Sequence, residues 1–190
     1  MGRFRELVDT EEKMRNFRTK YNIPSHVGVR YVAQGEWYDE RKTNEVVIPM
    51  IAFIEGGMTI LMGSLTRNYL RYFRLSPTKC APNMFRVLGC TEALNERMNL
   101  NLTHHDINWI YNLQDLKNQG YYLKSRHAEV RMIQYLLVSN KELKEDFLIF
   151  SGQWHDGLTC PVKEGEPGGE LIYLIFIFNF SYSSIPIVVG

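Results

Sequence analysis

The apolar residues change period several times along the chain, and the changes mark out its elements. Asp9-Thr10-Glu11-Glu12 places an acid three positions on, the arrangement that satisfies free amides at a helix start. Met14, Phe17 and Tyr21 follow at helical spacing, while Arg15, Arg18 and Lys20 fall elsewhere on the wheel. Asn22-Ile23-Pro24 stops this helix, because the residue before a proline is pushed out of the helical region. Val27, Val29 and Tyr31 then alternate with Gly28 and Arg30, which predicts a short strand, and the polar run 34–44 predicts a loop. Val46-Val47-Ile48 is apolar, but Pro49 limits it to a short edge element. Residues 51–54 predict a helical turn ahead of Gly56-Gly57.

Leu61, Leu65, Tyr69 and Tyr72 are spaced as one face of a helix that Ser76-Pro77 ends. Ala81-Pro82-Asn83 opens another, since proline fits a first turn where its missing N–H is not needed, and Val87, Thr91, Leu94 and Met98 line one side of it. Cys90, after Gly89, reads as a small core residue within that helix. Thr103-His104-His105-Asp106 is a capping box with Ile107, Ile110 and Tyr111 as the apolar stripe behind it. Gly120-Tyr121-Tyr122-Leu123 is strand-like. Ser139-Asn140-Lys141-Glu142 is a further capping box, and Phe147-Leu148-Ile149-Phe150 is a buried strand that ends at Ser151-Gly152.

Four or five helices with several short strands, and no regular βαβ alternation, make an α+β fold: a small helical domain with a single core. Residues 1–14 form an N-terminal arm and helix start, 15–155 the module, and 156–170 a Gly/Pro-rich linker. Residues 171–190 form an apolar tail without a carboxylate, amine or guanidinium side chain. This tail has three readings. It is long enough to cross a bilayer, through Leu171, Ile172, Leu174, Ile175, Phe176, Ile177 and Phe178. Its central Asn179, Ser181, Ser183 and Ser184 and its Pro186 argue against a transmembrane helix, and its β-branched and aromatic content suits a docked strand better. The third reading is a terminus with no selected role, which if exposed would promote aggregation.

Composition narrows the function. With 190 residues, 45% hydrophobic and 23% charged, the chain supports one packed domain. A formal net charge of +1 gives no global attraction to polyanions, so any basic surface is local. Cys80, Cys90 and Cys160 are odd in number and scattered, which fits reduced thiols in a cytoplasmic or nuclear protein. Asn101-Leu102-Thr103 and Asn179-Phe180-Ser181 match the glycosylation triplet, but MGRFRELVDTEEKMR has no apolar signal core. Gly2 follows Met1, yet Glu6 stands where myristoylation wants a hydroxyl.

No CxxC, no HExxH and no histidine pair at i, i+4 occurs, and adjacent His104 and His105 point about 100° apart on a helix, so no metal site is expected. Ser151-Gly152 lacks the nucleophile-elbow glycine, and no phosphate-cradling glycine loop is found. Asp106, Asp115, Asp146 and Asp156 are not grouped as two-metal chemistry requires. The expectation is no enzyme, no cofactor and no small-molecule substrate. One charge feature stands out. Between Glu55 and Glu92 lie Arg67, Arg71, Arg74, Lys79 and Arg86 with no acid among them. Arg67, Arg71 and Arg74 are spaced i, i+4, i+7, with Tyr69, Tyr72 and Phe73 interleaved. One reading is a surface for a nucleic-acid backbone; the other is a solvated face partnered by Glu92 and Glu96.

Several motifs occur in a familiar order: Phe17…Tyr21-Asn22-Ile23-Pro24, Val47-Ile48-Pro49…Phe53…Gly56-Gly57, Tyr69-Leu70, Leu75-Ser76-Pro77, Ala81-Pro82-Asn83-Met84-Phe85-Arg86, Gly120-Tyr121-Tyr122, and Ser139-Asn140-Lys141 followed by Phe150-Ser151-Gly152-Gln153-Trp154. Together they resemble the plant transposon protein domain, the gag-like N-terminal region of gypsy-type retrotransposon reading frames, over residues 15–169. The resemblance implies a non-enzymatic element protein with an assembly or packaging role, whose partners are its own copies or nucleic acid. It transfers no catalytic residue. The carboxylates of strand transfer and a zinc knuckle are both missing. Longer members continue past this region into coiled-coil or low-complexity sequence; the apolar tail here suggests a truncated copy. The alternative is a small membrane-anchored protein that uses the tail. A nucleic-acid-processing enzyme is the least supported reading.

Overall fold

The computed structural model describes residues 2–33, 45–116, 120–127, 132–133 and 146–152. Helix α1 (Glu11–Lys20) starts one residue later than expected: Thr10 is its cap, accepting from the Lys13 amide, and Asp9 instead takes an ion pair from Lys13 Nζ at 2.8 Å. The helix ends before proline acts. Asn22 adopts a left-handed conformation (φ 51°), its amide donates to Thr19 O, and the Ile23 amide donates back to Arg18 O at 2.9 Å. These two bonds satisfy the carbonyls that the last turn leaves free. The Arg18 guanidinium then donates to the carbonyls of Pro24 and Val27, fixing the turn into strand β1 (Gly28–Ala33).

Strand β2 (Glu45–Pro49) is an edge strand, as Pro49 requires, and β5 (Asp146–Ser151) lies between β1 and β2, antiparallel to both. The register sets Val29 and Val46 against Phe150, and Tyr31 and Ile48 against Leu148. These residues belong to the main core with Phe17, Phe53, Tyr69 and Leu88. The alternate positions Val32, Val47, Phe147 and Ile149 form a second apolar cluster on the other face. Burial on both faces explains why β5 reads as a continuous apolar run rather than an alternating one. Helix α2 (Met50–Ile54) follows β2 directly and sets Phe53 against Phe150, with ring centroids 5.5 Å apart.

Helix α3 (Ser64–Tyr72) buries Leu65, Thr66, Tyr69 and Leu70. The expected stripe was offset: Leu61 precedes the helix and is 46% exposed, and Tyr72, in its last turn, is 56% exposed. Helix α4 (Pro82–Met98) begins at Ala81-Pro82 as expected and buries Val87 and Thr91, but Leu94 is half-buried and Met98 and Cys90 are exposed. Cys90 is exposed on the flank of the helix, beside the face that buries Val87, Leu88 and Thr91, so it is not a core residue. The capping box opens α5 (His104–Ile110). Tyr111 does not extend that helix; it starts strand β3 (Tyr111–Asp115), which the sequence reading missed and which pairs with β4 (Tyr121–Ser125). Five helices and two small antiparallel sheets among the described residues make the fold α+β. The polar run 34–44, the box at Ser139, Gln153-Trp154, Cys160, the linker 156–170 and the tail 171–190 lie outside the described residues.

Two asparagines of α4 hold its neighbours in place. Asn83 donates to Leu123 O at 2.8 Å and accepts from Leu123 N at 3.3 Å, pairing the helix to β4 as a strand would. Asn95 does the same with Leu102, at 2.9 and 2.8 Å, and so shapes the approach to α5. Asn83→Ala leaves a buried N–H and C=O on Leu123 without partners and costs about 2–3 kcal/mol in urea unfolding. Asn95→Ala, in a half-buried setting, costs about 1 kcal/mol, so a larger loss at Asn95 than at Asn83 would reverse this ranking.

Candidate nucleic-acid interface

Helix α3 carries Arg67 and Arg71 at i, i+4 on the side away from Leu65, Tyr69 and Leu70. Arg71 is exposed and Arg67 half-buried. Arg74 does not continue the row. The helix stops at Tyr72, Arg74 adopts φ 52°, and the Leu75 amide closes back on Leu70 O at 2.8 Å. The i, i+4, i+7 spacing of the three arginines therefore spans a helix end, and Arg74 projects from the turn beyond it. Lys79 ends a 3-10 turn (Pro77–Lys79), and Arg86 lies half-buried in the second turn of α4. The structure thus unites Arg67 and Arg71, with Arg74 following, and assigns Lys79 and Arg86 to separate elements.

Among the described residues none of these five cations makes an ion pair. The anticipated partner Glu92 is engaged elsewhere: its carboxylate accepts from the Thr66 amide at 2.9 Å, so it supplies the missing cap at the start of α3. That helix begins at Gly63, which has no capping side chain, and a Cβ there would overlap the Glu92 carboxylate. A negative charge at a helix N-terminus is favourable through the aligned peptide dipoles.

The end of α3 meets the start of α5. Tyr69 donates its hydroxyl to Asn108 Oδ1 at 3.3 Å, and beside it Tyr72 stacks on His104 with centroids 4.4 Å apart. His105 lies 4.1 Å from His104 and 5.9 Å from Tyr72. The two histidine rings converge despite their wheel positions, because first-turn side chains lean back past the helix start with no preceding turn to block them. Burial, reinforced by His105 and opposed by Asp106, holds the His104 imidazole below its usual range. Trp109, one turn beyond His105, is 83% exposed. Sequence reading missed this shelf by assigning Tyr72 to the core. The available signal was the spacing of His105 and Trp109 on the side of α5 away from Ile107.

Among the described residues the aspartates singled out by sequence are dispersed. Asp146, 2% exposed, accepts from the Phe4 amide at 2.9 Å and the Tyr31 hydroxyl at 2.5 Å; Asp106 caps α5; Asp115 ends β3. Asp156 lies outside the described residues. Among the described residues no group of three or more His, Cys, Asp or Glu is placed to hold a metal ion. Burial pushes the Cys80 thiol far up, and burial followed by the nearby Cys80 does the same to the Tyr69 phenol, so both stay neutral. No helix among the described residues is long and apolar enough to cross a membrane, and Leu171, Ile172, Leu174, Ile175, Phe176, Ile177 and Phe178 fall outside them. Comparison with protein-family models, curated proteins and solved structures finds no match.

Two substitutions test this geometry. Arg74→Gly removes the penalty of a left-handed non-glycine residue and raises stability by about 1 kcal/mol, read as a higher melting temperature. Thr103→Ala removes the α5 cap and costs about 1 kcal/mol at neutral pH. The Thr103 amide and then its hydroxyl hold the Asp106 carboxyl below its usual range. Because the folded-state value is depressed, that contribution is present above the unfolded carboxyl value, about 3.9, and is lost as pH falls through the folded one. The part of the Thr103→Ala deficit that comes from the lost hydroxyl therefore narrows as the pH falls below the unfolded carboxyl value and through the depressed folded one.

Proposed function

We propose that this chain is a non-enzymatic interaction module of the retrotransposon gag-like kind, which binds nucleic acid weakly through Arg67, Arg71 and Arg74 and self-associates. The observation that carries the binding part is the set of solvent-accessible arginines without carboxylate partners. A structural arginine face ordinarily meets acids at i±3 or i±4 or across a helix contact. Here Glu92, one of the two acids expected to serve it, caps a helix instead, and among the described residues neither Glu92 nor Glu96 forms an ion pair with it. Cations left unpaired attract phosphate by releasing its counterions, which makes the affinity modest and strongly salt-dependent. The gag-like part rests on the ordered motifs between Phe17 and Trp154.

Binding of single-stranded RNA to the full chain, measured by fluorescence anisotropy over a salt series, tests the reading. The parent weakens steeply with salt. A triple Arg67→Ala, Arg71→Ala, Arg74→Ala variant flattens the slope of log K against log salt by about 2, on the order of 0.7 per lost phosphate contact. A triple variant that binds like the parent removes the basic face as the contact.

A further inference from the structure

Folding leaves two large aromatic side chains on the surface at the junction of α3 and α5, Tyr72 at 56% and Trp109 at 83% exposure. They are not isolated. Tyr72, His104 and His105 form a tilted aromatic cluster, with centroids 4.4 Å apart for Tyr72–His104, 4.1 Å for His104–His105 and 5.9 Å for Tyr72–His105, and Phe73 packs edge-on against Tyr72 at 4.9 Å from the side of the core. Trp109 continues the exposed face one turn further along α5. The shelf is rigidly seated. Tyr69 bonds Asn108, the capping box fixes the first turn of α5, and Arg126 donates to Asn108 O at 2.7 Å.

The charges around the shelf have a direction. Arg71 immediately precedes Tyr72, Arg67 lies one turn back, and Arg74 follows; none has an ion-pair partner among the described residues. The one acid in the first turn of α5 is Asp106, about 160° around the helix from His104, and its carboxylate is held by the amide and hydroxyl of Thr103. Flat, accessible π-faces flanked by free guanidinium groups complement a ligand that is both planar-aromatic and polyanionic. A duplex offers the phosphates but hides its base faces within its own stack, so the complement is a single strand. An acidic or apolar protein surface would match the arginines or the rings, but not the alternation of the two.

We infer that the Tyr72–His104–His105 shelf and Trp109 stack the unpaired bases of a single-stranded nucleic acid whose phosphates lie on Arg67, Arg71 and Arg74. This rests on the proposed nucleic-acid reading and adds to it what the arginines alone do not specify: strandedness and the residues that contact bases.

Short labelled oligouridylate and a duplex RNA of equal length are titrated against the full chain and against Tyr72→Ala, Tyr72→Phe and Trp109→Ala, with a melting curve for each variant. Oligouridylate binds about tenfold or more tighter than the duplex. Tyr72→Ala and Trp109→Ala each weaken it about tenfold with the salt slope unchanged, while Tyr72→Phe, which keeps the ring, binds as the parent. Quenching of tryptophan fluorescence by oligouridylate is lost in Trp109→Phe, a readout that a purely structural role at an exposed position would not move. Equal affinity for both RNAs, or alanine variants that bind like the parent while salt dependence persists, overturns the shelf and leaves the basic face standing. Absence of any RNA binding at low salt overturns both. A dimer in sedimentation velocity that Trp109→Ala dissolves, with RNA affinity intact, overturns the shelf in favour of a contact between two copies.

Discussion

Strand β5 is the constraint on which the rest of the molecule depends. It comes more than a hundred positions after β1, yet it pairs on one edge with β1 and on the other with β2, and it packs apolar side chains on both faces. Its first residue adds a polar condition. A buried carboxylate is costly unless hydrogen bonds replace its water, and Asp146 obtains them from the Tyr31 hydroxyl and the Phe4 amide. The N-terminal arm is therefore tied to the sheet by the strand that closes it. At the other end Arg30 and Glu45, on the two flanking strands, meet across β5 at 3.1 Å. Register and charge pairing thus agree, which is what keeps a one-residue slip from turning the apolar set outward.

Helix α4 organises the other half by a different device. Its side chains act as substitutes for backbone: Asn83 pairs with Leu123, Asn95 with Leu102, and Glu92 with the free amide of Thr66. Each contact satisfies a backbone group that the secondary structure leaves open, at a strand position, a loop and a helix start. The two halves share one apolar cluster, which holds Phe53 and Phe150 of the sheet side together with the fully buried Tyr69 and Leu88 of the helices.

Much of this was legible in the sequence, and the parts that were not share a physical cause. Proline-marked boundaries, the Thr103 capping box and the run Phe147-Leu148-Ile149-Phe150 each carry a local signal, and each has its element. Leu61, Tyr72 and Cys90 were misplaced because an i, i+4 count does not say where a helix begins and ends. β3 follows α5 without a breaker, so only its pairing with β4 reveals it. The bidentate asparagines are invisible to periodicity, since an asparagine that clasps a distant backbone looks like one that faces solvent. In the candidate site the arginines were found by composition, and their geometry was not, because a left-handed residue ends α3 between Arg71 and Arg74.

That helix end links the fold to the surface. Left-handed residues terminate α1, α3 and α4 at Asn22, Arg74 and Asn99, and the amide that follows each returns to the last turn. At Asn22 and Asn99 the side chain tolerates the conformation through its short polar group. Arginine has no such advantage, so the fold bears a small strain there and gains a cation that projects beyond the helix. Because α3 stops at this point, Leu75 turns into the core while Tyr72 is left at the rim, where it meets the first turn of α5. Extending α3 by one more turn would carry Arg74 onto the row of Arg67 and Arg71 but draw Leu75 out of the interior. The buried leucine decides between these arrangements, since its burial is worth about 2 kcal/mol and outweighs the left-handed penalty of about 1 kcal/mol. The placement of the cations beside the exposed rings is thus a consequence of core packing, and it follows from where one apolar residue has to go.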